Sequence, residues 1–471
     1  MVYGYQSSKI IWVYDQRRMG KGGRLFLDQR QNIQAKERIM TRPSRSRLVM
    51  QLSALTAAIC CASQSASAAT DAEFAALQQR LNALEAKLAQ QPTIQISSAP
   101  SLPAISMSPS TTFSYKGYVK VDALASRFSA GELASTSAGR DFYLPSTTPV
   151  GNGKKSQVFD MHAKQTRLNL GTKTLLDNGK TLSSQVELDF MVSLDGNERA
   201  TNGYEPEIRH AFIQYDQFIL GQTWSNFMDV KALPDTLDFI GSSEGTVFVR
   251  QAQLRYTQGG LSVALENPET TLSTVAVGTT PVGSVVSGDG RLPDLTARYV
   301  HDMGKQGHVS AALLVRELRN DNNGLDDTEI ATGVNLSGRL NLNSTCNLRG
   351  AIHYGQGIGR YVGANLVNDA VLDAKNQLHL IDVTAGFVAF QHQWQPKLRS
   401  SLGVSMFKAD IPTDIIGTGL TEKSQSAHAN LIYNVTPSFE VGAELLHGER
   451  ELSSGLDGKV DRLQFAAKYS F

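Results

Sequence analysis

From residue 113 to residue 471 the chain alternates between apolar and polar positions. Phe113, Tyr115, Gly117, Val119, Val121 and Ala123 share one parity, and Lys116, Tyr118, Lys120 and Asp122 share the other. Successive side chains of a strand point to opposite faces, so this segment predicts a strand separating an apolar from a polar environment. The pattern recurs. Val186, Leu188, Phe190 and Val192 oppose Gln185, Glu187 and Asp189, while Val309, Ala311, Leu313 and Val315 oppose His308, Ser310 and Arg316. Ile330, Thr332, Val334, Leu336 and Leu340 oppose Glu329, Asn335, Ser337 and Arg339, and Leu463, Phe465, Ala467, Tyr469 and Phe471 oppose Arg462, Gln464, Lys468 and Ser470.

Two kinds of connection separate these runs. Short turns fall at 177–180, 258–260, 302–307, 343–344 and 434–438. Long polar loops are expected near 126–156, 195–207, 268–291, 319–327, 356–377, 408–424 and 447–459. Short turns on one side and long loops on the other describe an up-and-down meander of about sixteen strands. Soluble sandwiches and lipocalins also alternate, but they turn the apolar face inward, and about eight strands already fill such an interior. Sixteen enclose a lumen too wide for side chains to fill. The polar face must then line water and the apolar face must meet lipid, which requires a sheet closed on itself. No segment after residue 68 reaches the ~18 apolar residues of a spanning helix. The expected fold is all-β: a transmembrane antiparallel barrel over 112–471, preceded by a short N-terminal periplasmic coiled-coil helix.

The front of the chain supplies that address. Residues 1–39 lack sustained periodicity and read as an unstructured or non-native extension. Arg42, Arg45 and Arg47 precede an apolar stretch over 48–62, and Ala66-Ser67-Ala68 fits a cleavage site, so 40–68 reads as a secretory signal peptide. The run is shorter than the ~20 residues of a membrane helix. No lipobox precedes Cys60 or Cys61, which argues against a lipoprotein. Residues 69–91 place Phe74, Leu77, Leu81, Leu84 and Leu88 at 3-4-3-4 spacing, an a/d seam. A helix this short is marginal alone and is stabilised by association, although packing on its own domain would satisfy the same pattern. Residues 92–111, rich in Pro and Ser, read as an extended linker.

Composition removes other classes. The 471 residues are 41% hydrophobic and 19% charged, with 40 Gly and 15 Pro, which excludes a disordered polyampholyte, a collagen or a small disulfide scaffold. The formal charge of +1 hides an asymmetry: residues 1–68 carry 11 Lys/Arg against 3 Asp/Glu, and the remainder carries 34 against 41. A net-acidic mature chain argues against a nucleic-acid partner. Once the leader is removed only Cys346 remains of three cysteines, too few for an internal disulfide or a metal cluster. No P-loop or HExxH motif is present, and His353, His392 and His428 sit on different strands, so neither an enzyme, a metal nor a cofactor is expected.

A wide aqueous barrel acts through what lines it. Parity places Arg167, Arg255, Arg298, Arg316 and Arg349 on the lumen face, where they would form a basic track that favours anions; guanidinium forks suit carboxylates in particular. The same arginines could instead steady the wall by pairing with Glu187, Asp189, Glu266 and Glu444. Arg209 and Arg250 fall on less certain parity. After Trp224, residues 225–246 carry Phe227, Met228, Leu237, Phe239 and Ile240, more apolar residues than a free surface loop would hold. This loop is expected to fold into the lumen and narrow it, with Asp229, Asp235 and Asp238 facing the basic wall. A subunit contact is the competing use of those apolar residues.

Four local stretches carry a resemblance: FSYKGYVKVDALAS at 113–126, AKQTRLNLGTKT at 163–174, IRHAFIQYDQFILGQTWSNFMD at 208–229 and FVRQAQLRYTQ at 248–258. With the order of leader, heptad helix, linker and barrel, they resemble the DcaP-like porins of Gram-negative bacteria, over nearly everything from residue 71 onward. The resemblance implies a homotrimer with its helices in the periplasm, and passive uptake of small anionic solutes such as dicarboxylates. The terminal strand ending at aromatic Phe471 is similar to the signal read by the outer-membrane assembly machinery. The alternative function is a structural tether acting through the coiled coil, and a barrel hydrolase stands third.

Overall fold

The computed structural model describes residues 110–471 apart from 193–195, 198–200, 276–282 and 323–324. The extension at 1–39, the leader at 40–68, the heptad helix at 69–91 and all but the end of the linker lie outside the described residues.

The alternating segments form sixteen antiparallel strands in one closed sheet, the second of them in two pieces. In chain order they are β1 (Thr111–Phe128), β2 (Ser156–His162 and Arg167–Leu175), β3 (Thr181–Asp189), β4 (Glu207–Tyr215), β5 (Phe218–Trp224), β6 (Arg250–Gln258), β7 (Leu261–Glu266) and β8 (Asp294–Asp302). They continue as β9 (Gly307–Asn322), β10 (Leu325–Asn341), β11 (Cys346–Gln356), β12 (Asp382–Gln395), β13 (Leu398–Asp410), β14 (Thr421–Thr436), β15 (Phe439–Leu452) and β16 (Asp457–Ser470). Each pairs with its sequence neighbours, and β1 closes the ring against β16 from Tyr118↔Ser470 to Phe128↔Val460. Closure leaves no strand edge open to lipid.

The terminal aromatic completes the seam. Phe471 exchanges both backbone hydrogen bonds with Gly117, at 3.0 and 3.1 Å, and its ring stacks on Tyr115 at 5.2 Å. Gly117 permits this approach, because a Cβ there would strike the Arg167 carbonyl and the Phe471 ring.

The outward parity is apolar and exposed, as in Leu220, Leu313, Leu336, Ile352, Leu402 and Leu445. Outward aromatic residues gather next to the short turns: Phe218, Tyr256, Tyr299, Trp394, Tyr433 and Tyr469. Such a girdle marks one membrane–water boundary of a transmembrane barrel. The lumen side holds a hydrophobic cluster instead of open water alone. Phe227, Met228 and Val247 pack there with Ile358, Tyr361, Phe407 and Ile416.

Two expected loops are mostly strand. The segments at 319–327 and 447–459 continue their ladders, with β9 and β10 paired as far as Asn322↔Leu325, whereas 408–424 leaves the sheet between Asp410 and Thr421 and holds a helical turn at Thr413–Ile416. Polar side chains on both faces hid these extensions in the sequence. Cross-strand ion pairs such as Lys423–Glu451 at 3.0 Å and Arg319–Asp326 at 2.8 Å occupy them. The long segments at 267–293 and 357–381 are not free loops either. They contribute Thr270–Thr274, Gly283–Ser287, Ala370–Leu372 and Leu378–Leu380 to a small four-stranded sheet.

Candidate functional site

The connection between β5 and β6 turns inward and reaches the opposite wall. Apart from its own turns and the Val247↔Val362 bridge, its backbone is satisfied by lumen side chains. Glu266 accepts from the Asn226 N–H at 2.8 Å, and Asn335 donates to the Phe227 carbonyl at 2.6 Å. Arg255 donates to the Trp224 carbonyl, Arg298 to that of Met228 at 2.7 Å and Arg349 to that of Leu233 at 2.6 Å. Further along, Asn430 donates to the Asp235 carbonyl and Lys120 to that of Leu237, at 2.8 and 2.6 Å. The Glu444 carboxylate caps the N–H groups of Leu237 and Asp238 at 2.8 and 3.1 Å. The loop's anchors thus come from β1, β6, β7, β8, β10, β11, β14 and β15.

Its tip is buried as deeply. Glu244 is wholly inaccessible, and burial raises its carboxyl above the usual carboxylate range. Gly245 presses on the wall so closely that a Cβ would strike the Gly386 carbonyl and Ser405. Gly245→Ala is therefore expected to lift the tip and raise single-channel conductance. Gly288→Ala, where a Cβ meets nothing within 4 Å, should leave conductance unchanged. Equal conductance in both variants would show that the tip does not limit flow.

The three loop aspartates do not face a basic wall across a gap, as the sequence suggested. They are fastened to the wall or to the loop itself. Asp229 lies 2.8 Å from His308 Nε2 and accepts from Ser337 at 3.0 Å. Asp235 pairs with Arg399 at 2.6 Å and accepts from Gln391 at 2.7 Å. Asp238 accepts from the N–H groups of Tyr143, Ile240 and Gly241. Of the aromatic residues, Phe227 is buried against Tyr361. Trp224 and Phe239 each lie near Phe248, and the Arg209 guanidinium sits 5.7 and 5.2 Å from their rings.

All five parity-selected arginines turn to the lumen side, but they divide into two kinds. Arg167 is 3.0 Å from Asp189, and Arg209 completes that cluster at 2.8 Å from Asp189 and 3.0 Å from Glu187. Arg316 has no accessible side-chain surface; it is locked between Asp294 at 3.2 Å and Asp369 at 2.9 Å, so its place on a solute-contacting track is corrected to a structural one. Arg255, Arg298 and Arg349 have no carboxylate within 4.0 Å among the described residues. They hold only loop carbonyls and neutral side chains.

A fourth arginine of this kind went unselected in the sequence. Arg339 bonds only Asn341, at 3.1 Å, and lies directly across from Arg349 on the adjacent strand. Its parity was legible; its lack of a partner was not. Arg298 and Arg255 face Ser262 and Ala264, two residues apart on the intervening β7. The row therefore runs along one sector of wall from β6 to β11. The histidines do not converge. His353 lies 3.0 Å from the Gly245 carbonyl and His428 3.6 Å from Glu444, while His392 meets Cys346 Sγ at 3.1 Å, on the parity of outward Phe390 and Trp394.

A sixteen-stranded closed barrel with an inward loop between β5 and β6 now has a sequence counterpart. The family model for the DcaP outer membrane protein matches residues 96–471. The chain belongs to the DcaP outer membrane protein family. Among solved structures, the outer membrane channel DcaP of Acinetobacter baumannii is 25% identical, covering 77% of this chain and 97% of that one, with a TM-score of 0.64. The anion-selective porin from Comamonas acidovorans is 11% identical, covering 77% and 100%, with a TM-score of 0.44. OmpF of Salmonella typhi is 16% identical, covering 77% and 98%, with a TM-score of 0.46. No curated protein matches the chain in sequence. Family membership and the DcaP channel fold make the chain an outer-membrane porin.

Proposed function

We propose that this DcaP-family chain is a homotrimeric porin for passive diffusion of small anionic solutes past the arginine row. One observation carries the reading. Lys120, Arg167, Arg209, Arg399 and Lys468 each lie within 4.0 Å of a carboxylate, whereas among the described residues Arg255, Arg298, Arg339 and Arg349 form no such ion pair, the nearest carboxylates acting on them being those of Glu266, Asp229 and Asp235 at longer range. Like charges placed directly across two strands repel, and an anion bound between them relieves that repulsion. Arg339 and Arg349 are such a pair. Directly opposed residues of an antiparallel pair have Cα atoms about 5 Å apart, so the two planar forks suit a solute with two carboxylates. The inward loop is the constriction: it crowds the solute toward the row, and Trp224, Phe227, Asp229, Asp235, Asp238 and Phe239 shape and fasten it.

Reversal potential across a planar bilayer under a salt gradient tests this. Anion preference in the wild-type protein is the expected result, with small dicarboxylates carrying current or reducing the chloride current. Cation preference would overturn the arginine reading. Silent insertion would overturn the channel and favour a tether.

A further inference from the structure

The outward face of the barrel changes charge around its upper rim. Long connections of an outer-membrane barrel lie on the extracellular side and short turns on the periplasmic side. Climbing away from the aromatic girdle, the outward positions of β14 read Tyr433, Leu431, Ala429, Ala427, Gln425 and Lys423. Those of β13 read Leu398, Ser400, Leu402, Val404, Met406 and Lys408. Leu398 pairs with Tyr433 at the lower end, and ten residues higher Lys408 pairs with Lys423. A strand of that length tilted by about 40° rises roughly 26 Å, and the apolar band is ~25 Å tall, so both lysines stand where hydrocarbon gives way to headgroups. The first outward charges on β15, β16 and β1 are His447, Asp461 and Arg127, and Lys155 stands just before β2 beside Arg127. On β9, β10 and β12 the first outward charges are instead Glu317, Asp326 and Asp382.

The geometry points to a binding site for a phosphate-bearing glycolipid of the outer leaflet, centred on the Lys408↔Lys423 pair and extended along the rim by Arg127 and Lys155. Lysines directly opposed across two strands repel, and an anion between them relieves the repulsion. Lys423 reaches Glu451 at 3.0 Å and Glu422 at 3.4 Å, and His447 and Lys459 are engaged by Asp461 and Glu449. Lys408, Arg127 and Lys155 have no carboxylate within 4.0 Å among the described residues. The β13–β14 connection turns away from this face, burying Ile416 in the lumen cluster and leaving the Lys423 side chain 49% exposed. A cavity of about 410 Å³ opens here between Met406, Lys408, Lys423, Gln425, Glu449 and Glu451. The two lysines suit phosphate, and the amide and carboxylate groups beside them accept hydrogen bonds from sugar hydroxyls. Below the lysines the wall is shaped for acyl chains. Leu402, Ala429 and Leu445 lie in one cross-strand row, and the small central residue leaves a cavity of about 570 Å³ between the two leucines. A free anion would have no use for that apolar notch, so the two halves of the site together select a lipid. Clusters of basic residues at a membrane surface hold anionic headgroups in the same way.

Lipid retention by the detergent-purified protein tests the site, with diphosphoryl lipid A and phosphatidylcholine as probes in mixed micelles. The wild-type protein should carry several-fold more diphosphoryl lipid A than phosphatidylcholine through a sizing column. Joint replacement Lys408→Gln and Lys423→Gln should lower lipid A retention several-fold, and Arg127→Gln by a smaller factor. Lys375→Gln removes an exposed cation outside this rim and should match the wild type. Heat-modifiable gel mobility reports folding, and Arg127→Gln keeps the test decisive should the double variant not fold. Retention by the rim variants equal to that of Lys375→Gln would overturn the proposal. So would equal retention of dephosphorylated lipid A, which would leave the lysines without a role. Inorganic phosphate that competes as well as lipid A, mole for mole, would mark a free-anion site and overturn the lipid. The site needs the outer-membrane location but not the arginine row. The lysines face away from the lumen, so the double variant should keep the wild-type reversal potential, and loss of lipid and loss of anion preference are separate results.

Discussion

Replacing Arg339 and Arg349 together with glutamine is expected to remove much of the anion preference while leaving the barrel folded. Two unit charges in water interact by about 0.7 kcal/mol at 6 Å, so each arginine removed should cost about threefold in the occupancy of an anion beside the row at low salt. The pair would give nearly tenfold, shrinking as added salt screens the wall. Arg349 also donates to the Leu233 carbonyl, so its loss alone confounds charge with loop anchoring. Arg339 touches only Asn341, and Arg339→Gln isolates the charge. Arg339→Lys separates charge from shape: it should preserve ion preference but weaken binding of a dicarboxylate, because an ammonium lacks the planar fork. Reversal potentials of Arg339→Gln and of the double variant that match the wild type would eliminate the row as the selectivity element.

Parity made the fold legible because the two solvents of this protein sort side chains with a period of two. Lipid-facing Leu313 and Leu336, and lumen-facing Ser310 and Asn335, fall where alternation puts them. Parity also turned all five selected arginines inward. It could not distinguish Arg298 from Arg316, since that difference depends on which chain segment folds over each residue. Arg298 meets one loop carbonyl, and Arg316 meets loop groups from two long connections. Arg209 shows the opposite failure. A register shift between Glu187 and Leu188 lets both Arg209 and His210 turn inward and become buried, and a bulge of this kind interrupts strict alternation. The apolar content of 225–246 did signal an inward loop. Its aspartates were misread because a carboxylate near a basic wall bonds to that wall if the chain can reach.

Arg316→Met is expected to produce the largest loss of stability of any single arginine substitution proposed for this barrel. The Arg316 guanidinium is fully buried, between Asp294 of β8 and Asp369 of the 357–381 segment. It also donates to the carbonyls of Gly357 and Glu269, and it lies 5.2 Å from the Tyr361 ring. Tyr361 donates to Asp294 at 2.8 Å, and Asp369 accepts from the Thr271 N–H and hydroxyl, both at 2.9 Å. One cation therefore fastens both long connections to the wall. Methionine fills much of the volume but strands two buried carboxylates, and breaking such a cluster costs about 3–5 kcal/mol. Urea unfolding in detergent should show that loss as a lower midpoint, with Arg339→Met within about 1 kcal/mol of wild type as the comparison. Adding Asp369→Asn to Arg316→Met removes one stranded charge, so the double variant should recover part of the deficit. If Arg316→Met unfolds at the wild-type midpoint, the cluster does not hold these segments in place.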